Sequence, residues 1–297
     1  MNVRTGAIIA VLMVQLLYGL NYTLAKDVMA GGFLTPYGFI LLRVGGATLL
    51  FWLFSWMGPQ ETIDKRDYVK FFVAAIFGVA INMLLFFKGL EFTTPIHASV
   101  IVTLTPVFVL VLSAIFLKEK VTLLKILGVT FGLAGAVVLT VYGKSTRSAD
   151  NILIGNTFVF INMVSYSIYI ILIKKLTAKY HPFTFIKWLF LFGLILVLPF
   201  GFSDVMATDF GSFPPYIVFS VLFVIVGATF GTYLLNPLAL RHLKATTVTI
   251  FIYVQPVVAG IFAIIMGSDT LGIVKIVASA LIFTGVYLVT MRPKVSD

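Results

Sequence analysis

The chain has 297 residues, of which 60% are hydrophobic and only 11% charged, with a net charge of +10 and no cysteine. Average soluble domains carry about 25% charged residues, so this composition excludes an ordinary water-soluble globule, and the missing cysteines exclude disulfides, thiol catalysis and thiolate-bound metal. The positive balance is not a nucleic-acid signal, because the basic residues cluster in short loops between apolar runs, where they set membrane orientation.

A helix needs roughly 20 residues to cross about 30 Å of hydrocarbon. Apolar runs predict ten such helices, at 6–26, 35–57, 69–90, 95–117, 122–142, 152–174, 183–202, 214–239, 246–267 and 271–291. The punctuation between them is polar or Pro/Gly-rich, as in Gly58-Pro59-Gln60-Glu61, Lys118-Glu119-Lys120, His181-Pro182 and Phe213-Pro214-Pro215. The first run is too long for a signal peptide and lacks a small-residue cleavage site, so it is expected to stay as a helix. With the N-terminus cytoplasmic, fifteen basic residues fall on the cytoplasmic side and five on the other, which predicts a multi-pass protein of the inner membrane with both termini cytoplasmic.

Two stretches of the chain match at a constant offset of 150. Pro106 pairs with Pro256, Glu119 with Asp269, Lys125 with Lys275, Gly135 with Gly285 and Thr140 with Thr290. Matches at one register indicate a tandem duplication. Five helices per copy is an odd number, so the second copy enters the membrane upside down. The expected fold is an all-α membrane protein of ten transmembrane helices, built as two inverted five-helix repeats. The expected division is 1–142, a short extracytoplasmic linker at 143–151, and 152–297. Inverted repeats place a solute site at mid-membrane, where the halves meet.

These features together resemble the EamA-type exporters of the drug/metabolite transporter superfamily. The resemblance rests on a proline followed thirteen residues later by an acid in each half, and on Tyr18-Gly19-Leu20-Asn21, similar to that family's Trp-Gly-x-Asn start with Tyr replacing Trp. It also rests on Leu117-Lys118-Glu119-Lys120 and on Arg43 in the second helix. Ser167-Ile168-Tyr169 in the second half is only a loose echo of the first motif. The resemblance implies a ten-helix transporter that exports amino acids or other small metabolites.

Polar side chains inside a membrane are costly and mark pathways or helix contacts. Asn82 and Phe86 pair by offset with Thr232 and Asn236, each pair four residues apart on one helical face. His97 and Thr105 pair likewise with Thr247 and Gln255, while Asn162, Tyr166 and Tyr169 fall at i, i+4 and i+7. These residues, with Asn21 and with Lys88 near the outer end of the third helix, are the candidate solute site. The bland alternative is that the amides and hydroxyls only join helices, at about 0.6 kcal/mol each. Pro106 and Pro256 are expected to kink their helices and are candidate hinges. Arg43 is read as a structural charge, bonded to helix-end carbonyls or paired with Glu91, with a substrate carboxylate as the alternative. Glu119 and Asp269 are read as structural charges capping the helix that follows each. Gly128 with Gly132, and Gly227 with Gly231, allow close helix packing or a homodimer face.

No cofactor is expected, since Gly143-Lys144-Ser145 lacks the upstream glycine of a phosphate loop. No metal is expected either, since His97, His181 and His242 lie far apart. The expected partners are a small-molecule substrate and the bilayer, with no nucleic acid. All eleven acids lie at or near segment ends, which leans towards uniport, exchange or export down a gradient. The leading reading is export of small carboxylate-bearing metabolites through a central cavity. The competing readings are a membrane-embedded lipid-acting enzyme, for which no nucleophile, acid pair or metal set is in place, and a non-transporting scaffold.

Overall fold

The computed structural model describes residues 2–92, 98, 101–141, 152–265 and 272–291. The helices in chain order are α1 (Val3–Ala30), α2 (Pro36–Leu53) and α3, which runs from Asp67–Ala75 through a π-helical turn at Ile76–Ala80 into Ile81–Phe92. They continue as α4 (Thr105–Phe116), α5 (Leu123–Val141), α6 (Ile152–Thr177) and α7 (Pro182–Met206). The last three are α8 (Pro215–Ile225, a π-helical turn Val226–Gly231, then Thr232–His242), α9 (Ala245–Thr249, a 3-10 stretch Ile250–Tyr253, then Val254–Ile265) and α10 (Ile273–Thr290). No strand occurs among the described residues.

Six stretches are long and apolar enough to cross a membrane, and the remaining four helices are apolar but shorter in their described parts. Large apolar side chains such as Leu49, Leu123, Leu153 and Ile273 point outward at 69–78% exposure. In water that would be untenable over so wide a surface, so these side chains face lipid and the chain is a multi-pass membrane protein.

The packing repeats itself between the two halves of the chain. Helix α5 packs on α10 and α2 on α7, while α3 packs on α6 as α8 does on α1, and α4 on α6 as α9 does on α1. The irregular turns follow the same register, since Ile76–Ala80 in α3 and Val226–Gly231 in α8 start 150 residues apart. A π-turn leaves carbonyls without their usual partner. In α3 those of Phe77 and Gly78 are taken by Ser165 Oγ (2.7 Å) and Tyr233 Oη (2.7 Å) from the other half. A Cβ on Gly78 would lie 2.3 Å from the Tyr169 ring, so only glycine lets α6 settle there.

One expectation needs correcting here. Pro106 and Pro256 do not kink unbroken helices. Pro106 opens α4 just after a turn at Thr103 and Leu104, and Pro256 follows the 3-10 stretch of α9. Proline is tolerated in the first turn of a helix, because the missing N–H has no partner there in any case. The Gly128 and Gly285 backbones meet where α5 crosses α10, with a Cβ on either coming within 2.7 Å of the other's carbonyl. That glycine pattern is therefore used within the chain.

At the end of the bundle carrying the termini, polar groups tie the halves together. Glu119 does not cap the helix that follows it, because Thr122 Oγ1 accepts from Lys125 N and caps α5 itself. The Glu119 carboxylate accepts instead from Ala245 N (2.9 Å) at the start of α9 and from Thr246 Oγ1 (3.1 Å), and it pairs with Lys125 Nζ at 2.9 Å. Ser113 completes the cluster 3.1 Å from Thr246. Nearby, Lys174 Nζ donates to the carbonyls of Leu240 and Leu243. Lys179 bridges Asp64 and Asp67, and those bonds, Asp64's first, hold its ammonium above the usual lysine range. Asp269, the counterpart of Glu119, lies outside the described residues.

Candidate functional site

Two openings stand out. The larger, about 250 Å³, lies at the terminal end beside Arg4, Lys125, His242 and Lys244. There Lys125 is already paired with Glu119, and Arg4 bonds the Thr290 carbonyl. The smaller, about 140 Å³, lies between the two halves and draws residues from α1, α2, α3, α4, α6, α8 and α9. Its position at the meeting of matched helices makes it the candidate solute site.

Seven of the expected site residues surround this cavity: Asn21, Asn82, Phe86, Thr105, Asn162, Tyr166 and Gln255. Asn162 Nδ2 donates to the Asn82 backbone carbonyl (2.6 Å), which fixes α6 against α3 and leaves the Asn82 carboxamide to the cavity. Gln255 Nε2 donates to Gln15 Oε1 (2.7 Å), so α1 orients that amide. Asn21 Oδ1 is buried without a hydrogen-bond partner among the described residues. Buried polar atoms without partners are rare in folded proteins, and each asks for a missing partner.

Three pairs at the 150-residue offset line the cavity together: Met83 with Tyr233, Val102 with Ile252 and Thr105 with Gln255. The cavity thus straddles the relation between the halves, but its polar walls are not symmetric. Asn82 and Phe86 line it, whereas their counterparts Thr232 and Asn236 do not. The Thr232 hydroxyl turns back onto the Ala228 and Thr229 carbonyls of the α8 π-turn, and Asn236 is buried deeper in the packing. Tyr169 is also off the cavity, because its ring fills the space left by Gly78 and packs on Tyr166 and Tyr233. Lys88 lies over the Phe92 ring, 5.1 Å from its centroid, and not at the cavity wall. His97 lies outside the described residues.

Arg43 stands at the cavity wall. Its side chain is 6% exposed, and Nε donates to Thr229 Oγ1 at 3.0 Å. Thr229 in turn donates to Val224 O, five residues back, a carbonyl in the π-turn region of α8 (2.7 Å). Neither helix-end carbonyls nor a carboxylate accept from the guanidinium among the described residues. Tyr18, the tyrosine of the motif in α1, also lines the cavity, as does Tyr233. Sequence reasoning passed over Tyr233 because it chose the neighbouring Thr232, and one residue on a helix turns the side chain by about 100°. The lone arginine within an apolar helix was the visible signal for Arg43.

The pattern of the EamA-like transporter family matches this chain twice, over residues 5–141 and 153–291. The chain belongs to the EamA-like transporter family. Among relatives of this EamA-like protein, an uncharacterized transporter of Archaeoglobus fulgidus is 30% identical over 275 residues, covering 93% of this chain and 95% of the relative. The uncharacterized transporter YyaM of Bacillus subtilis is 22% identical, covering 90% and 88%. A WAT1-related protein of Arabidopsis thaliana is 25% identical over 63% of this chain and 58% of its own length. A solved crystal structure superposes with a TM-score of 0.76 over 96% of both chains at 17% identity, a likeness of fold. Family membership makes this EamA-like protein a membrane transporter by descent and points away from an enzyme.

Proposed function

We propose that the protein exports small carboxylate-bearing metabolites, the class that includes amino acids, across the inner membrane by alternating access. In this reading 1–142 and 152–297 are inverted five-helix repeats joined by the 143–151 linker, and both termini are cytoplasmic. The observation that carries it is the cavity between the halves, lined by Arg43 and by the Asn21 and Asn82 carboxamides, with Asn21 Oδ1 unpartnered among the described residues. Packing glue would use those groups up on neighbouring helices. The breaks before Pro106 and Pro256 supply the hinges, since a discontinuous helix bends at little cost. No carboxylate lines the cavity among the described residues, which favours uniport or exchange over proton coupling.

The test is tracer efflux from proteoliposomes against a panel of amino, hydroxy and oxo acids. Saturable flux of at least one acid, abolished in the Asn82→Ala/Gln255→Ala double variant, is expected. A panel with no flux above protein-free vesicles contradicts the reading.

A further inference from the structure

Resting on that transport reading, we infer that the cavity selects organic anions that carry no ammonium group, and that Arg43 holds their carboxylate.

Arg43 is the one charged side chain among the described cavity-lining residues. Its Nε is committed to Thr229, and its two terminal nitrogens have no hydrogen-bond partner among the described residues. A guanidinium held by one nitrogen and open at the others fits a carboxylate with two parallel bonds. A structural cation in this protein looks different. Lys174 spends its ammonium on the Leu240 and Leu243 carbonyls, and Lys125 is closed off by Glu119.

The rest of the described wall is neutral. Asn21, Asn82 and Thr105 offer hydrogen bonds, and Phe86 and Tyr166 offer apolar rings for the solute's body. A carboxylate entering this space gains a full opposite charge, whereas an ammonium entering with it gains only neutral acceptors. Taking an ion out of water without a counter-charge costs several kcal/mol. A 2-hydroxy acid differs from the matching amino acid only in that group, so the cavity discriminates between them. Glu91 is the acid nearest in sequence to the lining part of α3, four residues past Phe87, and its side chain is not among those described.

The experiment compares efflux of 2-hydroxy-3-phenylpropanoate and phenylalanine from proteoliposomes holding the full chain, its Arg43→Gln and Arg43→Lys variants and Glu91→Gln. Each variant is checked for a native melting transition in detergent. The expected result is hydroxy-acid flux at least about tenfold above phenylalanine flux, given the uncompensated ammonium. Arg43→Gln should bring the hydroxy acid down to the protein-free rate. Arg43→Lys, a point charge without the fork, should keep a residue about tenfold below the parent. Glu91→Gln should leave the ratio unchanged. Equal fluxes, faster phenylalanine, or undiminished hydroxy-acid flux in folded Arg43→Gln would overturn the inference and leave the transport reading standing. So would parity of the two solutes that depends on Glu91. Flux of neither solute also overturns it, and transport itself is then judged on the wider acid panel.

Discussion

Glu119, near the terminal end, and Arg43, beside the central cavity, are both buried charges, with side chains at most 8% exposed. Glu119 meets a lysine, a threonine hydroxyl and a helix-start N–H, so both of its oxygens are occupied. Among the described residues Arg43 meets one threonine and the cavity. The same desolvation cost is offset in the first case by protein and, in the reading proposed above, in the second by a solute. Burial alone therefore does not separate a structural charge from a binding one; the count of partners does.

That contrast can be broken most severely at Glu119. Glu119→Ala leaves the Lys125 ammonium buried and unpaired, and should cost about 3–5 kcal/mol of stability, read as a lower melting temperature in detergent. Glu119→Gln keeps an acceptor for Ala245 N and should cost less. Next comes Gly78→Ala, which drives a methyl into the Tyr169 ring and should cost about 1–3 kcal/mol by the same melting assay. Asn82→Ala sharpens the contrast from the other side. The Asn162 bond to the Asn82 backbone survives the change, so stability should move by no more than about 0.5 kcal/mol while solute flux falls about tenfold. If stability falls as much as in Glu119→Ala, the cavity amides are packing groups after all.

The smallest effect lies at His181, between α6 and α7. Burial first, and then the positive charge of Arg241, hold its imidazole below the ordinary histidine range, against the pull of Glu61. The unfolded chain takes up a proton near pH 6.5 and the folded chain does so only at lower pH. Stability should therefore decline slightly as pH falls through about 6.5, and His181→Phe should flatten that slope in melts from pH 7.5 to 5.

Much of the fold was legible in the sequence, because the duplication leaves marks that survive divergence. Pro106 with Pro256 and Glu119 with Asp269 set the register, and most described helix ends fall within a few residues of the apolar runs, the start of α4 at Thr105 against an expected 95 being the exception. The π-turns were not legible. Each adds a residue to a helical turn without a residue type that announces it, and each re-aims the side chains beyond it. Thr232, chosen by register with Asn82, bonds back into its own helix while Asn82 and Tyr233 reach the cavity, an asymmetry the matched register does not announce. Glu119 shows the other limit. Its neighbours in sequence suggest a cap on α5, and only the packed bundle brings the start of α9 within 2.9 Å.

The central claim is that solute passes through the cavity between the halves, and the absence of native cysteine gives a direct way to test it. Val102→Cys places a single thiol at the cavity wall on an apolar position of similar size. In proteoliposomes that carry out acid efflux, the account predicts that a membrane-impermeant methanethiosulfonate reagent modifies this thiol, that modification stops the flux, and that saturating solute slows the modification. A thiol that stays unmodified from both sides of the membrane, or one whose modification leaves efflux unchanged, would contradict it.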